Sequence, residues 1–231
     1  MRIALLALGL TACSVGRADP PAPSDHDEMV RFHMHEHYTM LGAIEHLVIR
    51  DDLYDVQVIA RVIAQALDEP GLARWQTDIS FTRANARDLA MAPDSTEACR
   101  RTARLAATCA NCHIDAHVTG MFGAPPRPPA EGTTTAARMA RHVWAADRLY
   151  EGVIGGARDS WQAGLDVLAQ TPAPDAKRAV LAQQLQDVAA AARKRIDQDD
   201  FAARARTYGD VLVTCLGCHA ADRASAAGAG R

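Results

Sequence analysis

Two pentapeptides of the same form, Cys109-Ala110-Asn111-Cys112-His113 and Cys215-Leu216-Gly217-Cys218-His219, stand 106 positions apart in a chain of 231 residues. Each is preceded, roughly seventy residues earlier, by Met-x-x-His: Met34-His35-Glu36-His37 and Met139-Ala140-Arg141-His142, offset by 105. Val48-Ile49 and Val153-Ile154 keep that offset. Two copies make a duplicated unit, not a solenoid. Each copy opens with a thioether and an imidazole and closes with two thiols and an imidazole.

The spacing of apolar residues within each copy is helical. Val30, Met34, His37, Leu41, Ile44 and Val48 follow steps of four and three, the seam of a bundled helix. The same steps in the second copy select Thr135, Met139, His142, Ala146, Leu149 and Val153. Further helices are predicted from near Asp52, over about Asp78 to Met91, and from the Pro93-Asp94-Ser95 cap signal to about His117. The second copy repeats them over Asp159 to Ala169, Asp175 to Ile196 and Asp200 to about Ala221. Aromatics are only 5% of the chain, and no alternating strand pattern stands out. The expected fold is all-α: two tandem up-down-up-down four-helix bundles. They are joined by a linker carrying Pro125, Pro126, Pro128 and Pro129.

The expected organisation is a signal peptide over 1–12, a tether over 13–27, a first domain over 28–119 and a linker over 120–134. A second domain over 135–223 and a disordered tail over 224–231 complete it. Met1-Arg2 followed by a short apolar run is an export signal, too short to span a bilayer. Leu10-Thr11-Ala12-Cys13 resembles the lipobox of bacterial lipoproteins. That resemblance implies cleavage before Cys13, lipidation of its thiol, and anchoring to the periplasmic side of a bacterial membrane, the outer membrane being favoured. An ordinary signal peptide with an incidental Cys would export the chain equally. A net charge of −3 gives no reason to expect a nucleic-acid partner.

On a helix, Cys109, Cys112 and His113 fall at i, i+3 and i+4 and share a face. Covalent haem attachment needs this arrangement: two thiols form thioethers with the porphyrin, and the adjacent His binds the iron as proximal ligand. Cys215, Cys218 and His219 repeat it, so two c-type haems are expected. A thioredoxin-type pair belongs at a helix N-terminus, whereas these pairs sit late in their helices. A structural zinc shared by pairs 106 residues apart is disfavoured, though a zinc lipoprotein without haem stays open.

In an antiparallel bundle the end of the fourth helix lies beside the start of the first. That brings His37 and Met34 toward the first motif, and His142 and Met139 toward the second. Four helices with the haem motif on the last resemble the cytochrome c′ superfamily. The resemblance implies an iron whose sixth position is either open to small gases or filled from the first helix. His37 and His142, Met34 and Met139, or no side chain at all remain the alternatives. The first expectation for function is electron transfer between exported redox proteins, without catalysis. A CO- or NO-binding sensor or a haem peroxidase is the alternative. The linker joins the haem-bearing end of the first bundle to that of the second, so the two haems are expected to be near neighbours, unless an extended linker holds them apart. Cys99, without a counterpart in the repeat, reads as a small buried side chain. Trp75, Trp144 and Trp161 read as core or haem-packing residues.

Overall fold

The computed structural model describes residues 25–66, 70–115, 122–173, 175–198 and 200–229. Among them it is all-helical, with eight α-helices and no strand. They are α1 (Asp25–Ile49), α2 (Leu53–Ala64), α3 (Gln76–Ala90), α4 (Ser95–Asp115), α5 (Thr135–Ile154), α6 (Arg158–Leu168), α7 (Ala179–Lys194) and α8 (Phe201–Ala229). Tight 3-10 turns at Pro70–Trp75 and Ala176–Arg178 precede α3 and α7. Cys13 and the signal segment lie outside the described residues.

Local chemistry sets the helix starts. Asp52 accepts from the Asp55 amide at 3.3 Å, Asp94 from Glu97 at 2.8 Å, and Thr134 from Ala137 at 3.2 Å. Each satisfies a donor that an N-terminus leaves free. α1 begins at Asp25 and α8 runs to Ala229; the Ala-rich sequence at the end of α8 is a good helix former. The turns after α1 and α5 also correspond: Asp51 (φ 67°) and Gly156 (φ 70°) take the left-handed conformation, 105 positions apart.

Within the first copy, α1 lies against α2 and α4, α2 against α3, and α3 against α4. In the second, α5 lies against α6 and α8, α6 against α7, and α7 against α8. Arg101 reaches both Glu97 (3.0 Å) and Asp88 (2.9 Å), tying α3 to α4. The copies meet most extensively along α4 and α8, and buried residues of both form one continuous core. Gly209 makes that approach possible: a Cβ there would stand 3.3 Å from the Arg100 Cα and 3.5 Å from the Ala103 side chain.

These contacts fix the relative direction of α4 and α8. Arg100 and Ala103 meet Gly209, while Thr108 and Asn111, further along α4, share a groove with Phe201 and Ala205, earlier in α8. The helices are antiparallel, so the two motifs lie toward opposite ends of the pair. At 1.5 Å rise per residue their midpoints differ in level by roughly 25 Å. The linker is accordingly extended. Phe122 occupies the space beside Gly155 at the end of α5, and the Pro129 carbonyl accepts from Arg141 near its start (2.6 Å). Seven residues at about 3.1 Å each cover the same length as fourteen helical residues at 1.5 Å.

Candidate functional site

The first motif opens onto a cavity of about 700 Å³, within the range of about 300–1,000 Å³ usual for small-molecule and cofactor sites. Met34 and His37 reach it from α1, and Cys109, Cys112 and His113 from α4. Trp75, Phe122 and Ile154 complete the apolar wall, and Arg31, Arg74 and Arg83 border it. The expected meeting of the start of the first helix with the end of the fourth is therefore present. The seam of α1 grades from half-buried Val30, Met34 and His37 beside the cavity to buried Leu41, Ile44 and Val48.

His113 is oriented from the other copy. Its Nδ1 lies 2.9 Å from the Ile154 carbonyl. A carbonyl can only accept, so Nδ1 carries the proton and Nε2 keeps its lone pair. Metal-binding histidines are commonly held this way, with the second ring nitrogen donating to a carbonyl. Burial lowers the His113 pKa while this hydrogen bond raises it. His37 is driven down to about 4 by burial, then by the His33 and Arg83 charges; a neutral imidazole is the form that can bind a metal. The His33 and His37 rings stand 4.2 Å apart.

The thiols are in their protonated form. Burial pushes Cys109 up to about 12, with Cys112 adding to it, and Cys112 up to about 11. Cys215 is likewise pushed up to about 12, and Cys218 is raised, both mainly by burial. This is opposite to the depressed thiol of a redox-active Cys-x-x-Cys pair. Because the two pairs belong to opposite ends of α4 and α8, a zinc shared between them does not fit. Among the described residues no group of three or more His, Cys, Asp or Glu side chains gathers as a metal site.

In the second copy, His142 on α5 and His219 on α8 lie close enough for the His219 charge to help burial lower the His142 pKa; Arg141 adds to this. His219 is itself lowered by burial and by Arg223 and Arg178. The His142 Nε2 is buried with no hydrogen-bond partner. An unpaired buried polar atom is costly, of order 1–3 kcal/mol, and a metal ligand would satisfy it. Met139 is half-buried one turn earlier. Leu181 of α7 packs against Gly217 inside the second motif, 3.3 Å from where a Cβ would stand.

Of the other residues singled out, Cys99 is fully buried and its thiol is pushed up to about 12. Trp161 is buried, Trp75 lines the first cavity, and Trp144 is half-buried. The sequence reading missed the Ile154 carbonyl and Phe122. The carbonyl leaves no mark in residue type. Phe122 does leave one, as one of only four phenylalanines, set inside an otherwise polar and Gly/Pro-rich linker.

Among the described residues no helix is long and apolar enough to cross a membrane. No protein family, curated protein or solved structure matches this chain.

Proposed function

We propose that the chain is a dihaem c-type cytochrome, built as two tandem four-helix bundles, that passes electrons between exported redox proteins. The observation that carries this reading is His113: Nδ1 is committed to the Ile154 carbonyl, leaving Nε2 available beside a cavity shared with Cys109 and Cys112. Cys109 and Cys112, and Cys215 and Cys218, would hold the two haems as thioethers, with His113 and His219 as proximal ligands. Bound haem supplies a one-electron ferric–ferrous couple. The chain's own residues do the rest. Trp75, Phe122 and Ile154 give the first cavity its apolar wall, and Arg31, Arg74 and Arg83 at its border could pair with the carboxylates of a bound haem. His37 and His142 are the favoured distal ligands, on the neutral state of one and the unpartnered Nε2 of the other; Met34 and Met139 are the alternatives. Lipidation of Cys13 would tether the protein to the periplasmic side of a bacterial membrane.

The test is the reduced absorption spectrum, with and without CO, of the exported protein and of His37→Ala and His142→Ala. Wild type should show two c-type haems per chain and little response to CO, and the Cys109→Ala/Cys112→Ala double variant should keep one haem. Each His→Ala variant should convert one haem to a CO-binding form. Absence of c-type bands overturns the proposal. An immediate CO response in wild type turns it into a gas-binding protein, and unchanged spin state in both variants reassigns the distal position to Met34 and Met139.

A further inference from the structure

Between the two motifs lies a carboxyl group that haem binding does not use. Glu45 is 3% exposed on α1, eight residues beyond His37 and so roughly 12 Å further along that helix. Tyr208 of α8 faces it, seven residues before Cys215. The Tyr208 hydroxyl is fully buried and makes no hydrogen bond of regular geometry, yet it stands close enough to the Glu45 carboxyl to favour its ionised form. From α5, Tyr150 stacks on Tyr38 with ring centroids 5.1 Å apart and donates to the Tyr38 carbonyl at 2.9 Å. Tyr38 in turn lines the first cavity. Glu45 therefore sits at mid-height between the motifs, within a cluster of tyrosines that reaches toward both.

We propose that Glu45 is a redox-linked proton site, taking up a proton when a neighbouring haem is reduced. This rests on the dihaem reading. One electron arrives from the exported donor and the iron goes from ferric to ferrous. The carboxylate takes one proton from solvent and becomes the carboxylic acid, so the net charge of the region is unchanged. Separating a charge from a buried carboxylate by roughly 10 Å at an effective dielectric of about 20 changes an equilibrium by on the order of tenfold. Burial already pushes the Glu45 carboxyl up to about 7, the Tyr208 hydroxyl opposing and the Asp147 charge assisting. The charged and titratable groups of this region are Tyr38 and His46 on α1, Asp147, Arg148, Tyr150 and Glu151 on α5, Tyr208 and Cys215 on α8, and Cys99 on α4, which acts on Cys215.

The experiment is redox titration of the haem-loaded full chain between pH 5 and 9, with reduced-minus-oxidised infrared spectra. For wild type, the reduction equilibrium of at least one haem should fall with rising pH near neutrality. The limit is tenfold per pH unit, about 59 mV for a one-electron couple. Glu45→Gln should be flat over that range and match the acid limit of wild type. Tyr208→Phe should keep the slope but move it to higher pH. A protonated-carboxyl band should appear on reduction and be missing in Glu45→Gln. Equal slopes in wild type and Glu45→Gln overturn the proposal, as does the absence of the band. If Glu45→Gln fails to load haem, Tyr208→Phe and the wild-type infrared band decide. Missing c-type bands in wild type would instead sink the dihaem reading; normal bands with pH-independent potentials would sink only this inference.

Discussion

The first two helices of each copy pack against each other, but they carry side chains of different size at equivalent repeat positions. In the second copy Gly152 of α5 faces Trp161 of α6: a Cβ on Gly152 would stand 2.6 Å from the Trp161 Cβ and 3.0 Å from its Cα. The positions 105 earlier hold Leu47, half-buried, and Val56, buried. A glycine and the largest side chain stand where the first copy has two of middling size. Gly164 repeats the pattern. Its Cβ would meet the Ala145 carbonyl at 2.8 Å, whereas position 59 is an isoleucine. Interiors are filled to near-crystalline density, so volume removed from one side of a contact must return on the other. At these positions the α5–α6 pair approaches more closely than larger side chains would allow.

The sharpest way to break this comparison is to exchange the pair. Trp161→Val alone should cost about 3–5 kcal/mol through the cavity it leaves. It also removes the aromatic face 5.7 Å beneath the Arg204 guanidinium. Gly152→Leu alone should be at least as damaging, because backbone as well as side chain stands in its way. The double variant Gly152→Leu/Trp161→Val should recover part of the loss, giving a coupling of about 1–3 kcal/mol in denaturant melts. Additive losses would mean that the α5–α6 spacing is fixed elsewhere and that the two contacts are not equivalent.

A second difference lies at one repeat position: Glu45 on α1 corresponds to Tyr150 on α5. Both are buried, but only the carboxyl carries a pH dependence near neutrality. With the folded value raised from 4.5 to about 7, the folded chain binds more protons than the unfolded chain in that interval. Stability therefore falls as pH rises from about 4.5 to 7 and stays lower above it. Glu45→Gln should leave stability at pH 5 little changed and raise it at pH 8 by up to about 3 kcal/mol. Chemical unfolding at the two pH values is the measurement, and an equal gain at both would show that burial of charge is not what Glu45 costs.

Periodicity and caps were legible in the sequence because they are local. The seam through Leu41, Ile44 and Val48, the Asp52 and Asp94 caps, and the placing of His37 beside His113 all follow from helical spacing and antiparallel sense. The antiparallel placement of α4 on α8 was not legible. It is made through Gly209, Ala103 and the backbone at Arg100, and small residues on an Ala-rich helix produce no contrasting stripe to read. Glu45 was hidden for a related reason: it adjoins Ile44 on the buried side of α1, where pattern alone assigns an acidic residue to solvent. The orientation of His113 depends on a backbone carbonyl, which any residue at position 154 would supply.

The smallest effect concerns a glycine for which the structure gives no packing reason. Gly42 lies in the middle of α1, and nothing stands within 4 Å of where its Cβ would be. Its counterpart 105 positions later is Asp147, so the second copy carries a full side chain at the equivalent place. Glycine in a helix interior costs roughly 0.5–1 kcal/mol relative to alanine because the unfolded chain has more freedom to lose. Gly42→Ala should raise stability by that amount, whereas Gly164→Ala, the same change against the Ala145 carbonyl, should lower it. Opposite signs in the two melts would confirm that the close α5–α6 approach at Gly164 has no counterpart at Gly42 of α1; a loss at Gly42 as well would break that contrast.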